Sequence, residues 1–183
     1  MQAGKEYIIQ FVGLAIGKHE YKFSVTDPFF EHFEFSEIKQ ASIEVDLTLL
    51  KQSTMMALEF EISGTVKVNC DLCTEEFDLP IMGSYKLIVK VGGSDSGVED
   101  DDIITISAAE HELDLRQYIY EYIVLSLPIK RVHPPDEKEN STCNQEMLEK
   151  IKDYLVDKAP EGGEDDEPET DPRWNQLKNI KLN

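Results

Sequence analysis

The chain has 183 residues, with 37 acidic and 18 basic side chains and a formal net charge of −19 at pH 7. Because affinity for phosphate backbones comes from lysine and arginine, this balance argues against a simple nucleic-acid-binding surface and favours basic partners. Solubility alone would also account for the charge. The chain lacks both the roughly 20 apolar residues of a membrane span and the apolar run of a signal peptide. Three cysteines without an export signal indicate reduced thiols or metal ligands, so we expect a cytoplasmic protein that does not bind membranes.

Alternation of apolar and polar residues predicts that the first half of the chain is mainly β-strand. The predicted strands are 7–14, 19–25, 42–50, 56–68, 77–91 and 103–106, and a short helical turn is predicted at 29–35. Gly64 is expected to form a bulge or a bend within its strand. Cys70–Cys73 would be the tip of a hairpin, and residues 92–102 a mobile acidic loop.

Apolar side chains at three- and four-residue steps predict one main helix at Leu113–Leu127. Asp114 near its start suits the positive end of the helix dipole. A second, weaker helix is predicted at 145–156, and residues 157–170 are too acidic and too poor in apolar residues to fold alone. We therefore predict one α+β domain at 1–156, mostly antiparallel sheet with one main packed helix and a second C-terminal helix, followed by a flexible, disordered acidic tail at 157–183.

The cysteines predict a possible structural zinc site. Cys70 and Cys73 have the C-x-x-C spacing of a zinc knuckle, and soft thiolates with an imidazole are the ligands that zinc prefers. If His133 and Cys143 approach this turn, four ligands would join the hairpin 66–91 to the segment 128–143. The wide gap between His133 and Cys143 is not typical of a zinc motif, and a pair of reduced thiols at a strand end is the alternative.

The motifs of common enzymes are absent from the sequence, and we predict a protein that is not an enzyme and has no small-molecule substrate. There is no phosphate-binding glycine loop and no G-x-S-x-G, and the segment that begins at His111 fails the H-E-x-x-H pattern at its last position. A metal with four protein ligands would also have no open coordination position for catalysis.

The last residues contain the only tryptophan of the chain, Trp174, beyond the acidic spacer. Arg173 and Leu177 lie beside it, and an aromatic residue with an arginine is a common anchor at protein interfaces. This segment would either bind a partner or dock back on the domain.

Several segments in this order resemble the YceD family of bacterial and plastid proteins, which are linked to accumulation of large-subunit ribosomal RNA. The segments are Val66–Phe77 with its C-x-x-C, Glu112–Leu115, Glu121–Pro128, Val132 with His133 and Cys143, and Asp171–Leu177. Many relatives have an arginine where this chain has Leu72, and two cysteines where it has His133 and Cys143. The exchange of a thiolate for an imidazole is neutral for zinc.

The resemblance implies a role in making the large ribosomal subunit. With the acidic charge, it predicts a non-enzymatic biogenesis factor that binds a basic ribosomal protein or a large-subunit precursor and contacts rRNA at most indirectly. The acidic segments 99–102 and 161–169 are candidate contacts for basic tails. Two alternatives from other classes are a zinc- or thiol-based redox sensor and an RNA-binding module.

Overall fold

The computed structural model describes residues 6–92, 102–135 and 141–154, with the side chains of 153 and 154 excepted. The chain divides into two units after Asn144. The strands are β1 (Ile8–Gln10), β2 (Gly17–Thr26), β3 (Ala41–Lys51), β4 (Met55–Asn69), β5 (Glu76–Val91), β6 (Ile103–Ile106) and β7 (Glu112–Asp114). The helices are α1 (Asp27–Phe30), α2 (Arg116–Leu125) and α3 (Gln145–Tyr154).

A five-stranded sheet in the order β2-β3-β4-β5-β6 forms the centre of the first unit. Strands β2 to β5 are antiparallel neighbours in chain order. Short turns join β3 to β4 and β4 to β5, whereas residues 27–40, which include α1, join β2 to β3. β6 pairs in parallel with the end of β5. The predicted α+β class with a mostly antiparallel sheet is therefore confirmed.

The hydrophobic core lies on one face of this sheet. Alternate residues of β3 and β4 are buried, including Leu47, Leu58 and Phe60, while their neighbours in sequence point to solvent. Helix α2 packs on this face through Tyr122, whose ring lies 5.1 Å from that of Phe60 and stacks 4.6 Å from that of Tyr85. Burial raises the pKa of Tyr122 to about 12, so this side chain stays neutral within the core.

The predicted start of the main helix is wrong because the deciding interaction is non-local. The predicted helix 113–127 begins only at Arg116, since Glu112–Asp114 forms β7 and pairs antiparallel with β1. Helical periodicity in one segment carries no information about a strand that lies a hundred residues away. Asp114 still supports the helix start, because its carboxylate accepts the backbone N–H of Arg116 at 3.0 Å and pairs with the guanidinium.

Other predicted boundaries also changed. Of the predicted strand 7–14 only Ile8–Gln10 is formed. The short helical turn predicted at 29–35 starts earlier, as α1 at Asp27–Phe30, and turn hydrogen bonds from His32 and Phe33 follow it. Of the bulge or bend predicted at Gly64, the bulge is wrong, because the pairing runs through this residue without an extra one. Gly64 is needed for close approach instead: a Cβ there would lie 2.3 Å from the Ser42 carbonyl oxygen.

The second unit is described only through α3, which presents Met147, Leu148 and Ile151 as half-buried side chains. The predicted tail 157–183, the acidic segments 99–102 and 161–169 and the last residues of the predicted second helix lie outside the described residues, except for Asp102. The division of the chain into domain 1–156 and tail stays a prediction. No helix within the described ranges has the length and apolarity to cross a membrane.

Candidate metal centre

The turn that contains Cys70 and Cys73 joins the two longest strands, β4 and β5. Its backbone is closed by two hydrogen bonds: the N–H of Cys70 donates to the Glu75 carbonyl and the N–H of Thr74 to the Cys70 carbonyl, both at 2.9 Å. Thr74 adopts a left-handed φ of 63°, which is strained for a β-branched residue. The turn thus holds both cysteine side chains inward, where Cys70 is 2% and Cys73 1% exposed.

A backbone clasp brings the segment that follows α2 to this turn. The N–H of Asp71 donates to the Arg131 carbonyl at 2.8 Å, and the N–H of Arg131 donates to the Asp71 carboxylate at 2.6 Å. The pair joins positions 60 residues apart. His133 follows two residues later, and its ring packs 4.5 Å from that of Phe77 at the start of β5.

Cys143 reaches the same place from a third piece of chain. Its side chain is only 4% exposed, and its neighbour Asn144 donates a hydrogen bond of 2.7 Å to the Glu75 carboxylate in the cysteine turn. The N–H of Cys143 also donates to the Ser141 hydroxyl at 3.3 Å. These bonds orient Cys143 toward the other two thiols.

The four predicted ligands are therefore brought together. One ligand atom from each of Cys70, Cys73, His133 and Cys143 lies within 4.8 Å of the others. The distances are 3.7 Å from Cys70 Sγ to Cys143 Sγ, 3.5 Å from Cys73 Sγ to His133 Nδ1, and 3.6 Å from Cys143 Sγ to His133 Nδ1.

These spacings fit a tetrahedral metal ion. Zinc–sulfur bonds of about 2.3 Å at tetrahedral angles place two thiolates about 3.8 Å apart, close to the separation of Cys70 and Cys143. A disulfide would need about 2.05 Å, and the three cysteines are free thiols. Three thiolates and one imidazole form a soft donor set that suits zinc, and four protein ligands leave no open position. The four residues are therefore close enough to hold a metal ion.

The groups around the Cys70 sulfur favour its ionised form. Burial opposes its ionisation, but backbone N–H groups of Cys73, Leu72 and His133 point at the sulfur and together lower the pKa of Cys70 to about 6. The N–H of Leu72 lies 3.4 Å from this sulfur. The lowered pKa favours the thiolate, which is the form that binds metal.

The pKa of Cys143 shifts in the opposite direction to that of Cys70. A hydrogen bond from the Ser141 side chain to the Cys143 sulfur lowers the pKa of Cys143, but burial and the neighbouring Cys70 and Cys73 sulfurs outweigh it and raise this pKa overall. Thiolates this close repel each other without a cation between them, so a divalent ion would relieve the repulsion.

Sequence reasoning missed three supporting residues: Asp71, Arg131 and Phe77. All three lie close in sequence to the ligands, and this nearness was the only sign of their role. Which residue each of them contacts depends on the fold. The predicted partner-binding residues Arg173, Trp174 and Leu177 lie outside the described residues. Of the other histidines, His19 bonds to the Ala15 carbonyl and His32 to the Pro28 carbonyl.

The fold and the site together define an α+β protein whose distant segments meet in a cluster of three cysteines and one histidine. The chain belongs to the YceD family, described as large ribosomal RNA subunit accumulation protein, whose model matches residues 58–181. The match includes all four candidate ligands and confirms the resemblance seen in the sequence. No curated protein and no solved structure matches the chain.

Proposed function

We propose that this protein is a non-enzymatic, cytoplasmic factor that supports accumulation of large-subunit ribosomal RNA by binding a basic ribosomal protein or a large-subunit precursor. The observation that carries the proposal is the family match over residues 58–181. The family description supports a role in large-subunit rRNA accumulation, and the net charge of −19 favours a basic partner.

Zinc would act in this protein as a structural clamp. The first two ligands lie at the tip of the β4–β5 hairpin, and the other two follow α2 in the chain. A metal bound by all four ties these segments together, and metal-binding energy becomes folding energy for such sites. The buried thiols and the N–H groups directed at Cys70 support this role.

The outer face of the sheet favours a protein partner over direct RNA binding. Modules that bind RNA on a sheet use exposed aromatic side chains on which bases stack. On the described strands β2–β6, the solvent-facing positions carry no aromatic residue. The net charge of −19 also repels a phosphate backbone and attracts lysine-rich proteins.

Burial of the thiols argues against the redox-sensor alternative. Redox-active cysteines are partly open to solvent, whereas none of the three cysteines is more than 4% exposed. The lowered pKa of Cys70 is what a metal ligand requires as well, so it does not by itself favour a sensor.

The test compares cells with and without the gene. We expect deletion to lower the ratio of large- to small-subunit rRNA, and the wild-type chain to restore it. The Cys73→Ser variant should restore it poorly, whereas the exposed variant His111→Ala should act as wild type. An unchanged ratio after deletion would contradict the proposal. Recovery of rRNA on the purified protein after ribosomal proteins are stripped away would refute the indirect contact.

A further inference from the structure

The connection between α1 and β3 leaves one phenylalanine almost fully in solvent. Phe35 is 89% exposed, although four other aromatic residues of the same region, Phe29, Phe30, Phe33 and Tyr120, pack against one another. A single exposed apolar side chain is ordinary, so its surroundings decide whether it has a role.

Phe35 lies between two residues, Glu34 and Ser36, that line a cavity of about 400 Å³. The floor of this cavity is apolar: Phe30 and Ile38 are buried there, and Phe33 is half-buried. Its rim carries the carboxylates of Asp27, Glu31 and Glu34 against one ammonium, that of Lys39. An apolar floor with an acidic rim complements a positively charged segment that bears an apolar side chain.

The connection is held in shape by its own hydrogen bonds. The N–H of Phe33 donates to the Phe30 carbonyl and that of Ser36 to the Phe33 carbonyl, both at 3.0 Å. The Asp27 carboxylate accepts the N–H of Ala41 at 2.9 Å. A preorganised surface of this kind loses little conformational entropy when a partner binds.

The same surface continues to the candidate metal centre. Glu37, which follows Ser36, pairs with the Arg131 guanidinium at 3.1 Å, and the backbone of Arg131 forms the clasp with Asp71. This connection precedes residue 58, where the family match begins. The family description therefore gives no role to the surface.

We infer that the surface formed by Phe35, the apolar cavity floor and the acidic rim is a docking site for a lysine- or arginine-rich segment of another protein that carries one bulky apolar side chain. The inference deepens the proposed function, on which it rests for the basic partner. Phe35 and the half-buried Phe33 would cover the apolar side chain, and Glu31 and Glu34 would attract the flanking cations.

Binding of a synthetic lysine-rich peptide with one central leucine to the full-length protein tests the site. A second peptide has alanine in place of the leucine. We expect Phe35→Ser to weaken binding of the leucine peptide about tenfold or more, since buried aromatic anchors dominate interfaces, and to leave the alanine peptide nearly unaffected. Ile16→Ser is the matched control, because Ile16 is 73% exposed and precedes β2 at the far end of the β2–β3 hairpin. That end lies about 33 Å away along the strand.

The charges are tested separately. Glu31→Gln with Glu34→Gln should weaken both peptides several-fold and reduce the salt dependence of binding. Glu20→Gln with Glu59→Gln removes the same charge from exposed positions of the sheet and should have little effect. Equal effects of the two double variants, or of Phe35→Ser and Ile16→Ser, would overturn the inference, because only net charge or general hydrophobicity would then matter.

The inference would also be overturned if the surface binds the tail of this chain or a second copy of the protein. If Phe35→Ser shifts the emission of Trp174 without any peptide, the tail of this chain occupies the surface. If Phe35→Ser abolishes a concentration-dependent dimer, a second copy does so. The peptide experiment and the rRNA ratio in cells without the gene are independent measurements. If the peptides do not bind, the docking site is refuted and the proposed function is not.

Discussion

Replacing Thr74 by glycine tests whether the cysteine turn holds backbone strain. Thr74 has a φ of 63° and an exposed side chain, so the substitution removes the unfavourable Cβ without opening a cavity. Relief of a left-handed β-branched residue is worth about 1–2 kcal/mol, and the greater backbone entropy of unfolded glycine offsets about 0.5–1 kcal/mol. We therefore expect a net stabilisation of up to about 1.5 kcal/mol, or up to about 6 °C in Tm for a chain of this size.

The assay is urea and thermal unfolding of the metal-loaded protein, followed by circular dichroism. Thr65→Gly is the matched control: Thr65 is also exposed but lies in β4 with ordinary extended pairing. Glycine there loses strand propensity and should destabilise the protein by up to about 1 kcal/mol. The two substitutions are thus predicted to have opposite signs. Equal destabilisation by both would refute the claim that the turn is strained.

Three further predictions concern the core, the sheet and the site. Phe60→Ala should lower the free energy of unfolding by about 3–5 kcal/mol in urea titrations, because Phe60 is 0% exposed and contacts Tyr122; a loss below about 1 kcal/mol would contradict its central place. Gly64→Ala should cost about 1–3 kcal/mol because its Cβ meets the Ser42 carbonyl, whereas Gly13→Ala, with nothing within 4 Å, should be nearly neutral. Metal-free protein should gain stability as pH rises from about 6 to 9, because folding lowers the pKa of Cys70 from 9.0 to about 6 and the unfolded chain then binds more protons. Above pH 9 the raised pKa of Cys143 should act in the opposite direction, and Cys70→Ser should remove the rise.

The sheet could be predicted because its strands are defined by patterns within short stretches of sequence. Strict alternation in 42–50 and 56–68 fixes which side chains face the core, and a short turn fixes the antiparallel pairing of β3 with β4. The strand 103–106 was predicted with its observed bounds, but its parallel pairing with β5 was not. The start of α2 and the pairing of β1 with β7 were missed because both depend on residues distant in sequence.

The candidate site shows the same division. The ligand types and the C-x-x-C turn were visible in the sequence, and the meeting of His133 and Cys143 with that turn was a hypothesis from ligand chemistry. The fold brings the four together through the Asp71–Arg131 clasp and the Asn144–Glu75 hydrogen bond. Neither interaction has a sequence pattern, because each joins single polar residues more than 50 positions apart.

Metal content of the untagged full-length protein tests the central claim most directly. Mass spectrometry of the native protein should give one zinc per chain, lost in Cys73→Ser and in His133→Ala and retained in His111→Ala, whose imidazole is exposed and outside the cluster. Protein that carries no metal, with all three thiols free to react after mild unfolding, would contradict the zinc clamp.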